Sequence, residues 1–181
     1  MLRRRKNLPF YANADSSYTV GLDQDSRDFL ADLPQQLMVV IAAGDEESTR
    51  RLFPPAYHRN SDAERQEEYQ RFMRDDLVES KRAALTMLSE TAHLERLTHD
   101  QMIAWMGAVN DIRLVLGTQI DVYEGLDLDD LADDDPRRPA LAVYGWLSGI
   151  LELIVMGLSS DAPEATDRRD PDDTPDLDEA T

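Results

Sequence analysis

Residues 98–120 read THDQMIAWMGAVNDIRLVLGTQI, and the architecture turns on that stretch. Thr98 can cap a helix, and Gln101, three residues on, completes a capping box; Leu97 and Met102 stand where a hydrophobic staple closes. From Met102 onward apolar residues fall on most sides: Ile103, Trp105, Met106, Val109, Ile112, Leu114, Val115, Leu116 and Ile120. A helix that is apolar all round is normally wrapped by other helices, so the segment predicts the centre of a bundle.

The flanking sequence supplies the wrapping. Residues 61–92 begin with a second capping box, Ser61 and Glu64, and carry Tyr69, Phe72, Met73, Leu77, Ala84, Leu88 and Ala92 along one stripe opposite a charged face. Residues 139–158 give a further helix, with Leu141, Trp146, Leu147, Ile150 and Ile154 among its apolar positions. Between these two, residues 121–138 form an acidic connector in which Asp133-Asp134-Asp135-Pro136 stops any helix. Toward the N-terminus, Phe29, Leu30, Leu33, Leu37, Val40 and Ile41 give residues 24–43 helical spacing. Pro34 predicts a kink or a break into two helices there, and Gly44 a stop. Residues 45–52 predict a short helix anchored by Leu52 and Phe53, followed by an extended turn at Pro54-Pro55. Pro9-Phe10-Tyr11 and Tyr18-Thr19-Val20, separated by turn-formers, allow a small hairpin that would need a packing surface. The fold class is therefore mainly α: a single-domain bundle of about five helices, with room for a short N-terminal β-hairpin. Residues 1–8 read as a flexible basic arm, 9–158 as the helical domain, and 159–181, rich in acids and proline, as a disordered tail. No internal repeat is present.

Charge narrows the function classes. The net charge is −18, from 37 acidic and 19 basic side chains. Carboxylates crowd the connector (Asp121, Glu124, Asp127, Asp129, Asp130, Asp133, Asp134, Asp135) and the tail, while Arg3, Arg4, Arg5 and Lys6 give the arm a charge of +4. Phosphate backbones attract clustered Lys and Arg, and no broad basic face is encoded. The arm is a candidate for weak contact with nucleic acid or an acidic partner, and otherwise a solubilising tail; the acidic body suits basic protein surfaces better. Direct DNA binding stays open. There is no cysteine, which removes disulfides and thiolate metal sites. The basic start is followed by no apolar core of a signal peptide, so a cytoplasmic location is expected. The 139–158 helix approaches membrane-spanning length, but Glu152 near its middle and Gly145, Ser148, Gly149 and Gly157 dilute it. A buried bundle helix is the expectation, and no membrane is predicted as a partner.

No catalytic residue, cofactor or metal site emerges. His58, His93 and His99 follow no metal-ligand spacing, and no glycine-rich phosphate loop or nucleophile elbow occurs. Asp127-x-Asp129 has only the first spacing of a calcium loop and reads as a solvated acidic loop. The sharpest candidates are polar groups on apolar helices: Asn110, Asp111, Arg113 and Glu152. A buried charge needs a partner, so Arg113 is expected to pair with Glu152 or Asp111, with Asn110 helping from the same face; the alternative is an exposed edge. An enzyme whose site assembles only in the fold would show convergent polar groups near Asn110 and Arg113.

Three stretches taken together carry a resemblance: residues 51–57 (RLFPPAY), 105–117 (WMGAVNDIRLVLG) and 144–147 (YGWL). In this order and spacing the chain resembles, over roughly residues 18–158, an actinobacterial family first catalogued as a domain of unknown function and associated with AosR-like oxidative-stress regulators. The resemblance implies a non-enzymatic regulatory protein that influences transcription through protein contacts, with a sigma factor or RNA polymerase as partner. The alternative is an adaptor module without a promoter role. Redox sensing associated with the family uses a cysteine pair, which this sequence lacks. Sensing is then lost, placed in a partner, or carried by other chemistry. Met102 and Met106 lie one turn apart but read as core. The oligomeric state stays open.

Overall fold

In the computed structural model the described residues are 9–53, 63–127, 129 and 131–160. The basic arm with Arg3, Arg4, Arg5 and Lys6, the Pro54-Pro55 turn, the Ser61 cap and residues 161–181 of the tail lie outside them. Along the described chain run β1 (Phe10–Ala12), β2 (Tyr18–Val20), α1 (Gln24–Ala42), α2 (Glu46–Thr49), α3 (Ala63–Thr91), β3 (Arg96–Leu97), α4 (His99–Gln119) and α5 (Arg138–Ser159). The fold is mainly α.

The capping box at Thr98 forms as the sequence requires. The Thr98 hydroxyl accepts from the Gln101 backbone N–H at 3.2 Å, and the Gln101 side chain accepts from the Thr98 N–H at 2.8 Å. The helix so launched is the centre of the bundle: α1, α3 and α5 all pack on α4. Trp105 is fully buried, edge-on to Phe10 with ring centroids 6.1 Å apart. Its indole N–H donates to Thr91 Oγ1 at 2.8 Å, satisfying the one polar atom such a residue brings inside. Met102 is fully buried and Met106 half-buried against the same core.

The predicted hairpin forms, β1 pairing antiparallel with β2. A third strand that the sequence did not announce, β3, completes the order β1-β2-β3 and ties the hairpin to the entry of α4. The hairpin rests on α5, where a Cβ at Gly157 would lie 3.1 Å from Phe10 Cβ. A methyl there would be tighter than ordinary carbon contacts, so glycine eases the close approach of strand and helix.

Two expectations change. Pro34 does not split the first helix: α1 runs uninterrupted through it. Leu30, Leu33, Pro34 and Leu37 are all buried, and Ser89 Oγ donates to the Ala31 carbonyl at 2.8 Å, in the turn the proline ring disturbs. The missing N–H leaves the Leu30 carbonyl without its helical donor; burial of this face holds α1 together, and the Ser89 bond ties α3 to it. Gly44, at φ +68°, ends the segment as expected. Secondly, α5 is not buried on all sides. Leu141, Leu147, Ile150, Ile154 and Gly157 face inward, while Val155 and Met156 are exposed. It is the one helix among the described residues long and apolar enough to cross a membrane, and it packs against α4 and β1 along its inner face.

Candidate functional site

The polar residues of α4 part company on folding. Asp111 and Arg113 are two positions apart, about 200° around the helix, so they cannot share a face. Asp111 turns toward α3, where Lys81 Nζ meets its Oδ1 at 2.7 Å. Burial pushes the Asp111 carboxyl above its ordinary 3.8, and the hydrogen bond and charge of Lys81 pull it back only in part. The pair borders a cavity of about 580 Å³ between α3 and α4, lined also by Ala84, Met87, Asp100 and Asn110. Each charge satisfies the other, so the arrangement locks α3 onto α4.

Arg113 turns the other way, toward α5. Its Nη1 donates to Tyr144 Oη at 3.4 Å and its Nη2 to Asn110 Oδ1 at 3.3 Å; the guanidinium carbon stands 5.5 Å from the Tyr144 ring centroid. Arg113 Nε is buried without a hydrogen-bond acceptor. The expected pairing of Arg113 with Glu152 or Asp111 does not form: Glu152 is exposed on α5, Asp111 is engaged by Lys81, and an aromatic face and an amide take the carboxylate's place. Asn110 and Arg113 are thus brought together, Asp111 lies beside Asn110 on the α3–α4 cavity but bonds Lys81 and not Arg113, and Glu152 is exposed on α5.

A second buried cation was not anticipated. Arg27, 7% exposed, donates to four backbone carbonyls: Val20 at 2.7 Å, Leu22 at 3.0 Å, Ala92 at 3.0 Å and Leu94 at 2.7 Å. It staples α1 to the end of β2 and to the segment leaving α3. The carbonyls past a helix C-terminus carry partial negative charge, which suits a cation there.

Further around α4, toward α1 and α5, the bundle is open. Ile112, Val115, Leu116 and Gln119 of α4 form the floor of an apolar groove of about 420 Å³. One wall is α1, through Phe29, Leu33, Gln36, Leu37 and Val40; the other is the start of α5, through Pro139, Ala140 and Val143. A shallower extension shares Phe29 and Val143 and runs to Asp25 and Trp146, where the Phe29 and Trp146 rings stand 5.4 Å apart. Among the described residues no group of three or more His, Asp or Glu side chains is placed to hold a metal ion.

The family described as "Domain of unknown function (DUF2017)" matches residues 7–158. The chain belongs to that family. Similarity also reaches proteins named "Oxidative stress regulator AosR" from Mycobacterium bovis and from two strains of Mycobacterium tuberculosis, each 32% identical over 88 residues. The matched stretch covers 46% of this chain and 39% of each relative, so the chain spans well under half the length of these regulators. No solved structure matches.

In this DUF2017 domain one residue from each of the three stretches quoted from the sequence, Arg51, Gly117 and Tyr144, meets at one spot. A Cβ at Gly117 would sit 2.8 Å from Tyr144 Cε2 and 3.6 Å from Arg51 Nη1. Arg51 Nη2 in turn donates to the Val122 carbonyl at 3.1 Å. Arg51, Gly117 and Tyr144 therefore form a joint between the α2 region, the end of α4 and α5, with Arg113 beneath it. Sequence reasoning missed Arg27 and Lys81, although both carried a signal. Lys81 falls on the apolar stripe between Leu77 and Ala84, and Arg27 precedes Leu30 by three, each a charge on a buried face.

Proposed function

We propose that the protein is a non-enzymatic regulator that acts on transcription through protein contacts. The observation carrying this reading is the similarity to AosR proteins named as oxidative stress regulators. The charge distribution supports it: a chain at −18 favours basic protein surfaces over a polyanion, since DNA contact depends on clustered Lys and Arg. The polar groups inside the bundle support it as well, because Lys81, Asp111 and Arg27 are engaged within the protein. A sigma factor or RNA polymerase is the partner this reading names. With no cysteine in residues 1–181, a thiol switch within this chain plays no part; a stress signal enters through the partner or through other chemistry.

The test is affinity purification of the full chain from its native cells, with and without peroxide, read by mass spectrometry. Polymerase subunits or a sigma factor should be retained. A well-folded bait that retains neither, but holds a different protein, overturns the transcriptional reading in favour of an adaptor.

A further inference from the structure

The groove over α4 has a shape and a charge that restrict what can occupy it. Its α1 wall runs from Phe29 to Val40, which at helical rise is about 16 Å, or three turns. Its floor and walls offer few polar side chains, chiefly Gln36 and Gln119. An extended peptide laid there would leave backbone N–H and C=O groups without partners, whereas a helix satisfies its own.

The rim is acidic. Asp25 closes one end, and Asp32 stands exposed on α1 one helical repeat further along. At the other end Gln119 and Pro139 flank the connector, whose described residues carry seven carboxylates between 121 and 135. The two cations beside Pro139 are already paired, Arg137 with Asp135 at 2.9 Å and Arg138 with Asp133 at 3.9 Å. A second copy would bring the same acidic rim to itself, and the tail beyond residue 160 is acidic too. Like charges facing across a contact oppose both.

We propose that this groove receives an amphipathic helix of a protein partner, about three turns long, with an apolar face and lysines or arginines on its flanks. The apolar face supplies anchors at i, i+3 or i+4, and i+7 that fill the space between Phe29 and Val143. The basic flanks meet Asp25, Asp32 and the connector, which sets partner choice and the rate of encounter. The inference deepens the regulatory reading by giving the partner's chemistry, yet its test uses peptides alone. Failure of one therefore leaves the other standing.

The experiment is methyl NMR of the full chain titrated with two synthetic helical peptides. They share the same leucine and phenylalanine anchors and differ only in carrying lysine or glutamate on the flanks. The lysine peptide is expected to shift the Ile112, Val115, Leu116 and Val143 methyls, to bind at least about tenfold more tightly than the glutamate peptide, and to weaken with salt. Gln36→Arg, at an exposed position that leaves folding intact, should weaken the lysine peptide and admit the glutamate one. Equal binding of both peptides, shifts confined to other surfaces, or no shifts with either overturns the proposal. So does a dimer, seen in sedimentation, that Gln36→Arg dissociates, because it assigns the groove to a second copy.

Discussion

At the scale of single residues, two buried ions hold the fold together by different means. Arg27 has no carboxylate; it is satisfied by four carbonyls from two segments. Replacing it with methionine keeps much of the packing but strands acceptors that are costly to leave unmade, so Arg27→Met should lose roughly 2–4 kcal/mol in urea denaturation. A loss below about 0.5 kcal/mol, the range of an ordinary surface change, would show the clamp to be dispensable. Asp111 makes a prediction about pH. Its folded-state carboxyl titrates above the ordinary 3.8 of the unfolded chain, so the native state binds the proton more tightly. The stability contributed by this group is full below 3.8 and declines as pH rises through the raised value. The stability advantage of the wild type over Asp111→Asn should therefore shrink as pH rises through that window; an advantage that grows would contradict the assignment. The exposed Asp15, Asp23 and Asp45 and the half-buried Asp135 act with the opposite sign. Serine donors lower the first three, and Arg137 lowers Asp135; their contributions are present above 3.8 and lost as pH falls through the lowered values. The presence of charges at positions 111 and 113 was legible in the sequence, but their partners were not. Helical spacing gives each residue's own face, and it says nothing of which neighbour meets that face.

Among the elements, the long helices were readable and the short pieces were not. The spacing in residues 98–120 and the box at Thr98 and Gln101 placed α4, because capping and periodicity are local properties. The two residues of β3 have no periodicity to display, and α2, expected across residues 45–52, shrinks to Glu46–Thr49 with Asp45 as its cap. The break expected at Pro34 is absent because the rule about proline concerns an isolated helix, while here Leu30, Leu33, Pro34 and Leu37 are all buried. The glycines of α4 separate local propensity from packing. Gly107 has nothing within 4 Å of an added Cβ, so Gly107→Ala should stabilise by about 0.5–1 kcal/mol through helix propensity alone. At Gly117 the same methyl meets the Tyr144 ring at 2.8 Å. Overpacking of about 1–3 kcal/mol outweighs the propensity gain there, so Gly117→Ala should come out neutral to destabilising. Thermal melts of the two variants side by side check both signs, and stabilisation by Gly117→Ala would contradict the tight joint at Tyr144.

For the molecule as a whole, the acidic charge and the central position of α4 were written in the composition and the pattern, and the groove was not. It exists because α1 and α5 both lean on α4 while meeting each other chiefly at Phe29 and Trp146. Such a gap is a property of helix placement, which no single segment encodes. In the groove Phe29 is exposed and Val40, Leu116 and Val143 are half-buried, over a floor of buried Leu33, Leu37, Ile112 and Val115. The most direct measurement of the central claim is sedimentation velocity of the fluorescently labelled full chain mixed with purified RNA polymerase and, separately, with individual sigma factors. The labelled chain should move with at least one of them, and rising salt should weaken the complex as an acidic surface requires. A chain that sediments alone in every mixture, while remaining folded, would contradict a role exerted through contact with the transcription machinery.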